Sequence, residues 1–346
     1  MLQNFWYACE FSHAVTDQPK QIELWNQKIV LYRDVSGSVV ALKDVCPHRG
    51  AALSLGKVEG NCIQCPYHGW KFQPDGACTT IPSNPLHVPI PRKAKIPVYS
   101  VQEKYGFIWL FWGDLSIENQ PPLPTMPDFS DPAFRTIYVE RKANAHYSRV
   151  IENLIDPVHA AFLHANSFGG GIAKALPSIT KAKVVMDDFG ASLSVDVPQP
   201  VSRFWKLVYG EKKRTTNISL RFCLPNVTFF SVDSHFRMRQ SYAVIPVNDN
   251  TTIIKTIYSR TLFNFPWADG FIRKITIQTF LEDKPTLESQ RPSVVPNDLA
   301  AEIHVAGDAM TVAYRKLRKK SMEMKYAVES SSFSTQHLME SVSTSE

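Results

Sequence analysis

Nowhere in the 346 residues is there a run of the roughly 18 consecutive apolar side chains that a membrane helix requires. The best candidate, Tyr105 to Trp112 (YGFIWLFW), is less than half that length and rich in strand formers. Dense Lys/Arg blocks are also missing. The formal charge of +6 is spread along the chain, so neither nucleic acid nor a membrane is expected as a partner. The N-terminus, MLQNFWYACEFSH, lacks a basic start and a long apolar core, so no secretory signal is read there and a cytoplasmic location is expected. No G-x-G-x-x-G follows a strand and no Walker loop occurs; Gly169-Gly170-Gly171 has the wrong spacing for either. The chain is therefore not expected to carry its own nicotinamide or flavin site. Hydrophobic residues at 44% and charged residues at 20% fit a globular protein with a sizeable core, in two domains or one large one.

Cysteine is scarce as well. The six residues Cys9, Cys46, Cys62, Cys65, Cys78 and Cys223 are too few and too unevenly spread to staple a fold with disulfides. Four of them precede residue 70, interleaved with His48 and His68, and clustered cysteines of this kind bind metal or do redox chemistry.

Residues 1–118 read as short strands between turns. Lys28 to Arg33 and Ser38 to Leu42 flank Asp34-Val-Ser-Gly37, Gln73-Pro-Asp-Gly76 is a second turn, and Tyr105 to Trp112 is the closing strand. The proline-rich Gln120 to Pro127 marks a domain boundary. Beyond it, Tyr147 to His164 has helical spacing, Val184 to Thr256 alternates like strands, and Trp267 to Glu288 is helical again. An α+β second domain over 119–326 follows from this texture. A last helix is expected over Ala309 to Met322 with Asp308 capping its start. The serine-rich 327–346 segment, without periodicity, reads as a mobile tail.

Cys46-Pro-His48-Arg-Gly50 is followed, after sixteen residues counted from His48, by Cys65-Pro-Tyr-His68-Gly-Trp70. Each half sets one thiolate and one imidazole on a tight loop, so two loops can close around one inorganic centre. Tetrahedral zinc is one reading. The other is a two-iron cluster with Cys46 and Cys65 on one iron and His48 and His68 on the other, where neutral imidazoles raise the potential. Cys62 makes Cys62-Ile-Gln-Cys65 a zinc-like distractor, and reads more simply as a buried strand residue; Cys9, Cys78 and Cys223 read as packing residues. The doubled C-P-H-R-G and C-P-Y-H-G-W pattern resembles the signature of the Rieske family.

A second constellation, Glu152-Asn153-Leu-Ile-Asp156-Pro157-Val-His159, runs on to His164. Histidines five apart sit about 140° apart on a regular helix, and Pro157 disfavours an unbroken one, so a bend is needed to bring both rings to one metal. This E-N-x-x-D-x-x-H-x4-H string resembles the mononuclear iron motif of Rieske non-haem iron oxygenases, and the likeness now covers both halves of the chain in order. Phe280-Leu-Glu282-Asp283-Lys284 looks like the E-D-K segment of the branch that includes vanillate and dicamba O-demethylases, caffeine N-demethylases and saxitoxin-pathway hydroxylases. Glu302-Ile-His-Val305 and Thr311 to Arg315 look like its C-terminal segment, with His304 matching no ligand position.

That resemblance implies an all-β Rieske domain followed by a helix-grip-like domain, an antiparallel sheet with flanking helices. It implies a [2Fe-2S] cluster and a mononuclear Fe(II) held by His159, His164 and Asp283, a facial triad open to O₂. Asp156 would accept the His159 imidazole N–H and bridge to a Rieske histidine of a neighbouring subunit in a homotrimer, with Asn153 near the iron. Electrons would come from a separate NAD(P)H-dependent reductase or ferredoxin. The activity implied is monooxygenation, by C–H hydroxylation or O-/N-demethylation, of a mid-sized ring-bearing substrate lined by Tyr258, Thr276, Thr279 and Phe280. Arene cis-dihydroxylation, a Rieske-type electron carrier and a zinc-binding scaffold are the alternatives. The carrier leaves some 200 residues unexplained, and colour and iron content separate the three classes.

Overall fold

The computed structural model describes residues 1–85, 87–126, 131–165, 177–198 and 215–323. The expected tail and part of the Pro127 connector lie outside them.

The N-terminal region contains β1 (Phe5–Phe11), β2 (Lys20–Leu24), β3 (Gln27–Arg33), β4 (Val39–Lys43), β5 (Lys57–Glu59), β6 (Cys62–Gln64), β7 (Lys71–Phe72), β8 (Cys78–Thr80), β9 (Val98–Tyr99), β10 (Val101–Lys104) and β11 (Phe107–Trp112). They form three antiparallel sheets, ordered β1-β11-β10, β2-β3-β4-β9 and β5-β6-β7-β8. The aromatic run begins as a strand only at Phe107. Tyr105 and Gly106 take left-handed backbone (φ 58° and 78°), which is the two-residue turn that joins β10 to β11.

The second region is built on a seven-stranded antiparallel sheet. Its strands are β12 (Arg135–Ala143), β13 (Val184–Met186), β14 (Gly190–Pro198), β15 (Thr215–Cys223), β16 (Val227–Asp233), β17 (Arg237–Asn248) and β18 (Thr251–Arg260). They are ordered β12-β18-β17-β16-β15-β14-β13. Against one face lie α1 (Tyr147–Ile155), the short α2 (Ala160–Leu163) and the long α3 (Asp269–Ser289), followed by α4 over 309–323. α3 turns Ile272, Thr276, Phe280, Asp283 and Leu287 inward, a spacing of three to four residues that puts them on one stripe. The sheet-and-helix arrangement is the α+β architecture expected.

One apolar core crosses between the regions. Trp6, Phe11, Ile108 and Trp109 pack with Val227, Phe229, Ile245 and Ile257. The Asn226 side chain caps this seam by accepting from the Ala8 N–H and donating to its carbonyl.

Three local expectations are corrected. Asp308 is not the N-cap of the last helix, because a 3₁₀ turn over Ala306–Asp308 starts it earlier. The Asp308 carboxylate reaches back to accept the Val305 N–H at 2.8 Å. The basic run Tyr314 to Lys320 reads in the sequence as a solvated helix face, but Arg315 and Arg318 are buried at 5% and 4% exposure, while Lys316, Lys319 and Lys320 are exposed. Cys62 does lie on a strand but is half-exposed, as is Cys78.

Candidate functional site

The two Cys/His loops are built alike. In each, a glycine four residues after the cysteine takes left-handed backbone (Gly50 φ 74°, Gly69 φ 70°) and donates its N–H to the cysteine carbonyl, at 2.9 and 3.1 Å. Each cysteine N–H in turn donates to the carbonyl one residue past that glycine, Ala51 or Trp70. A side chain with Cβ disfavours that conformation, which explains glycine at both positions. Cys46 and Cys65 are buried at 2% exposure, while His48 is half-exposed and His68 exposed. The imidazoles lie 4.6 Å apart by ring centres, and Trp70 stacks flat on His48 at 4.6 Å. Burial pushes the Cys46 thiol up to about 11, with the neighbouring Cys65 sulfur adding to the rise. Nδ1 of His48 is buried without a hydrogen-bond partner, a vacancy that suits a metal ligand. A centre with thiolates inside and imidazoles outside fits this donor set.

The second site forms where α1 ends. Asp156 leaves the helix with extended backbone (ψ 107°), and α2 restarts after His159. That break turns the His159 and His164 rings toward each other, 5.4 Å between centres. α3 brings Asp283 between them. Its Oδ1 lies 3.2 Å from His164 Nε2 and 3.6 Å from His159 Nε2, and one donor atom from each of the three residues falls within 4.8 Å of the others. Oδ1 of Asp283 is buried and makes no hydrogen bond, again fitting a metal between it and the two Nε2 atoms. Two histidines and one carboxylate are the donor set of a non-haem iron.

Glu282, in the sequence the neighbour of Asp283 in the E-D-K segment and the next carboxylate in line as a ligand, instead contacts a candidate ligand histidine. Its carboxylate accepts from Nδ1 of His164 at 2.7 Å, which fixes the ring with Nε2 toward Asp283. Burial opposes charge on His164, yet the adjacent carboxylates of Asp283 and Glu282 outweigh it and raise its pKa. The E-D pair in the sequence was the available signal. Asp156 departs from expectation: its Oδ1 accepts the Val158 N–H at 2.7 Å, and its other oxygen lies 3.8 Å from His159 Nδ1, too far for a hydrogen bond. It borders a cleft of about 330 Å³ with Asn153, His159, Gln290 and His304.

Under that cleft lies a charge cluster the sequence did not reveal as such. Arg149 donates to Glu152 (2.9 Å) and Glu302 (2.6 Å), and Arg315 donates to the same two carboxylates, at 2.5 Å each. The Arg149 hydrogen bond leads in lowering the Glu302 carboxyl to about 2. The cluster is neutral overall and ties α1 to α4.

Of the four expected substrate contacts, none borders the cleft at Asp156. Tyr258 sits on the sheet face toward α3, packed near Ile137, Val139 and Ile272. Thr276 and Phe280 are buried on the facing stripe of α3, and Thr279 is half-buried one turn before Asp283.

Fold and sites together define an oxygenase component with two separate iron centres. Residues 5–99 match the Rieske [2Fe-2S] domain family, and residues 143–324 match the vanillate O-demethylase oxygenase C-terminal domain family. Methylxanthine N1-demethylase NdmA of Pseudomonas putida is 30% identical over 335 residues, covering 93% of this chain and 90% of that protein. The 4beta-methylsterol monooxygenase of Methylococcus capsulatus is 38% identical over 171 residues, 47% of this chain and 45% of that one. The structure of NdmA with caffeine superposes with a TM-score of 0.74 at 26% identity, covering 93% and 92% of the two chains. Apo dicamba monooxygenase shares the fold, with a TM-score of 0.75 at 22% identity over 94% and 99%. The chain belongs to the Rieske non-haem iron oxygenases. It is an oxidoreductase of the monooxygenase type, with a [2Fe-2S] cluster and a mononuclear iron as cofactors. As in the family generally, it works with a reductase or ferredoxin and a substrate. Among the described residues no helix is long and apolar enough to cross a membrane.

Proposed function

We propose that Cys46, His48, Cys65 and His68 hold the cluster, that His159, His164 and Asp283 hold the mononuclear iron, and that the reaction is hydroxylation or oxidative O-/N-demethylation of a ring-bearing molecule. The observation that carries this is the convergence of His159 and His164, from the two ends of α2, and Asp283, from α3, on one point. When bound, the cluster supplies single electrons, and the iron uses them to activate O₂ for insertion into a C–H bond.

The protein's own groups prepare that chemistry. Glu282 holds a proton on Nδ1 of His164, so that Nε2 stays a neutral donor. Asp156 and Asn153 border the open cleft beside His159. There Asp156 would accept hydrogen bonds from His159 and from a Rieske histidine of the next subunit, in a head-to-tail homotrimer. The short displacement from 3.8 Å to hydrogen-bond distance is what docking would supply. A division at residue 118, with the catalytic region over 119–326, is supported by the separate sheets and by the two family matches. The electron source fits an NAD(P)H-dependent reductase or a ferredoxin. Tyr258, Thr276, Thr279 and Phe280 would line the substrate space between sheet and α3. The NdmA relative, a methylxanthine N1-demethylase, favours demethylation next to nitrogen.

The test is substrate-dependent O₂ uptake by the reconstituted enzyme, screened with formaldehyde detection over N-methyl heterocycles and aryl methyl ethers. Formaldehyde equimolar with O₂ consumed is expected. Product that carries a new alcohol and yields no formaldehyde would assign hydroxylation, and two oxygen atoms added to an arene would overturn monooxygenation.

A further inference from the structure

The inner face of the seven-stranded sheet carries a cation that pairs with no anion among the described residues. Arg141, on β12 opposite Ile254, lies beneath α3. One of its terminal nitrogens donates to the Thr276 carbonyl at 3.3 Å and the other to the Thr256 hydroxyl. Its guanidinium carbon is 5.4 Å from the centre of the Phe280 ring and 5.9 Å from that of Tyr242. Nε is buried without an acceptor, and no carboxylate among the described residues forms an ion pair with this side chain.

Three buried arginines near these sites are neutralised: Arg149 and Arg315 by Glu152 and Glu302, Arg260 by Asp269. Arg318 instead meets neutral acceptors, but two of them, the Val295 carbonyl and the Asn297 side chain. Burial acts on Arg141 in the expected direction and lowers its pKa, with Tyr242 and Asp283 opposing. A desolvated charge of this kind is unfavourable until an anion or strong acceptor meets it.

The surroundings are those of a binding site. Arg141 itself, Phe230, Met238, Gln240, Tyr242 and Tyr258 keep partial exposure on this face. The Tyr258 hydroxyl donates to the Met238 sulfur at 2.9 Å, and Tyr242 donates to Gln240. Along α3, the Thr276 and Phe280 that hold Arg141 lead in one further turn to Asp283.

We propose that Arg141 is the recognition group for a carboxylate on the substrate, so that the enzyme acts on ring-bearing carboxylic acids. Nε is the one guanidinium nitrogen without an acceptor, in a planar fork that matches a carboxylate. Its other nitrogens and two rings already fix its orientation, so little rotamer freedom is lost on binding. The acid group would be anchored at Arg141 while the carbon to be oxidised lies toward Asp283. This rests on the assignment of Asp283 as an iron ligand.

The test uses the full-length enzyme and calorimetry at constant ionic strength. The probes are a matched panel of methoxybenzoates, naphthoates and methylated azole carboxylates, each paired with its primary amide. For the pairs that bind, the carboxylate should bind at least about tenfold more tightly than the amide, the range of a charge-assisted hydrogen bond. Arg141→Gln should bring each pair within about twofold with the cluster spectrum and iron content unchanged. Arg141→Lys, which keeps the charge and the packing stem, should retain only part of the preference. Absence of carboxylate preference across the wild-type panel, or its full retention in Arg141→Gln or Arg141→Lys, would overturn the proposal and leave Arg141 as a clamp between sheet and helix. Calorimetry needs no turnover, so the two readings fail separately. Selective acid binding by a protein that consumes no O₂ would sink the iron assignment alone, whereas turnover of amides and acids alike would sink the role of Arg141 alone.

Discussion

Glu282 shows how much one side chain can decide. With its carboxylate 2.7 Å from Nδ1, the His164 ring has one orientation and one tautomer, and Nε2 is presented to Asp283 without searching. Outer partners of this type are worth about 10–100-fold in metal affinity. Glu282→Gln is therefore expected to lower mononuclear iron affinity by about that factor, measured by chelator competition, while the cluster absorbance stays intact. Unchanged affinity would mean that packing alone orients His164. The ligand-set substitutions divide in the same way. His159→Ala, His164→Ala and Asp283→Ala should each lose the mononuclear iron and keep the visible cluster spectrum, and Cys46→Ala or His68→Ala should lose that spectrum. If Asp283→Ala kept stoichiometric iron, Glu282 and Glu288 would be the next carboxylates to try. The candidate cysteine and histidine ligands were legible in the sequence because these residue types are rare and their spacing is short-range. Glu282, Arg141 and the Arg149–Glu152–Arg315–Glu302 cluster were not, because their partners, the i,i+3 pair Arg149–Glu152 aside, lie 13 to 163 positions away and charged residues are common on surfaces.

At the scale of elements, the start of α1 couples stability to pH. His146 is the N-cap, its Nδ1 accepting from the Ser148 N–H at 3.3 Å and lying 2.7 Å from the Ser148 hydroxyl. Burial, with Arg318 adding to it, lowers its pKa from 6.5 to about 4. The folded state thus prefers the neutral ring, while the unfolded chain takes up a proton below about pH 6.5. Stability carries no penalty from this residue above that pH, and falls as pH drops toward 4, where the folded state also protonates. Wild type should lose melting temperature between pH 7 and pH 5, and His146→Asn, which keeps a capping acceptor without the titration, should lose less. Equal losses in calorimetric scans at both pH values would remove His146 as the cause. The charge cluster one turn further along is expected to be costlier to break. Arg315→Ala leaves Glu152 half-neutralised in a buried place, a loss on the order of 3–5 kcal/mol. Elements were readable where a period or turn residue marked them, as in Gln73 to Gly76, where Gly76 takes φ 79°. Boundaries failed where tertiary packing decided, as in the basic run after Tyr314. There Arg315 and Arg318 look solvent-facing by composition and are buried by their acceptors at Glu152, Glu302, Val295 and Asn297.

For the whole molecule the question is how electrons travel between two sites with separate ligand sets. The exposed His68 and half-exposed His48 edge of the cluster loops faces outward, as a donor docking elsewhere requires. The cleft at Asp156 lies beside His159, open, and its carboxylate is held by Val158 short of any bond to the ring. In the proposed assembly, an outward histidine edge and an open acidic cleft would be complementary halves of one contact between successive subunits. Asp156→Asn should then preserve the cluster spectrum, most of the iron and the assembly, yet nearly abolish turnover, because the amide keeps the size and loses the charge. Mixed assemblies give the decisive measurement. Cys46→Ala chains and His159→Ala chains are each expected to be inactive alone, one without the cluster and the other without the mononuclear iron. Co-assembled, each supplies what its neighbour lacks, so partial O₂ uptake should return in proportion to the mixed contacts. Mixed assemblies of verified composition that stay inactive would mean that transfer runs within one chain, and Asp156 would lose its bridging role.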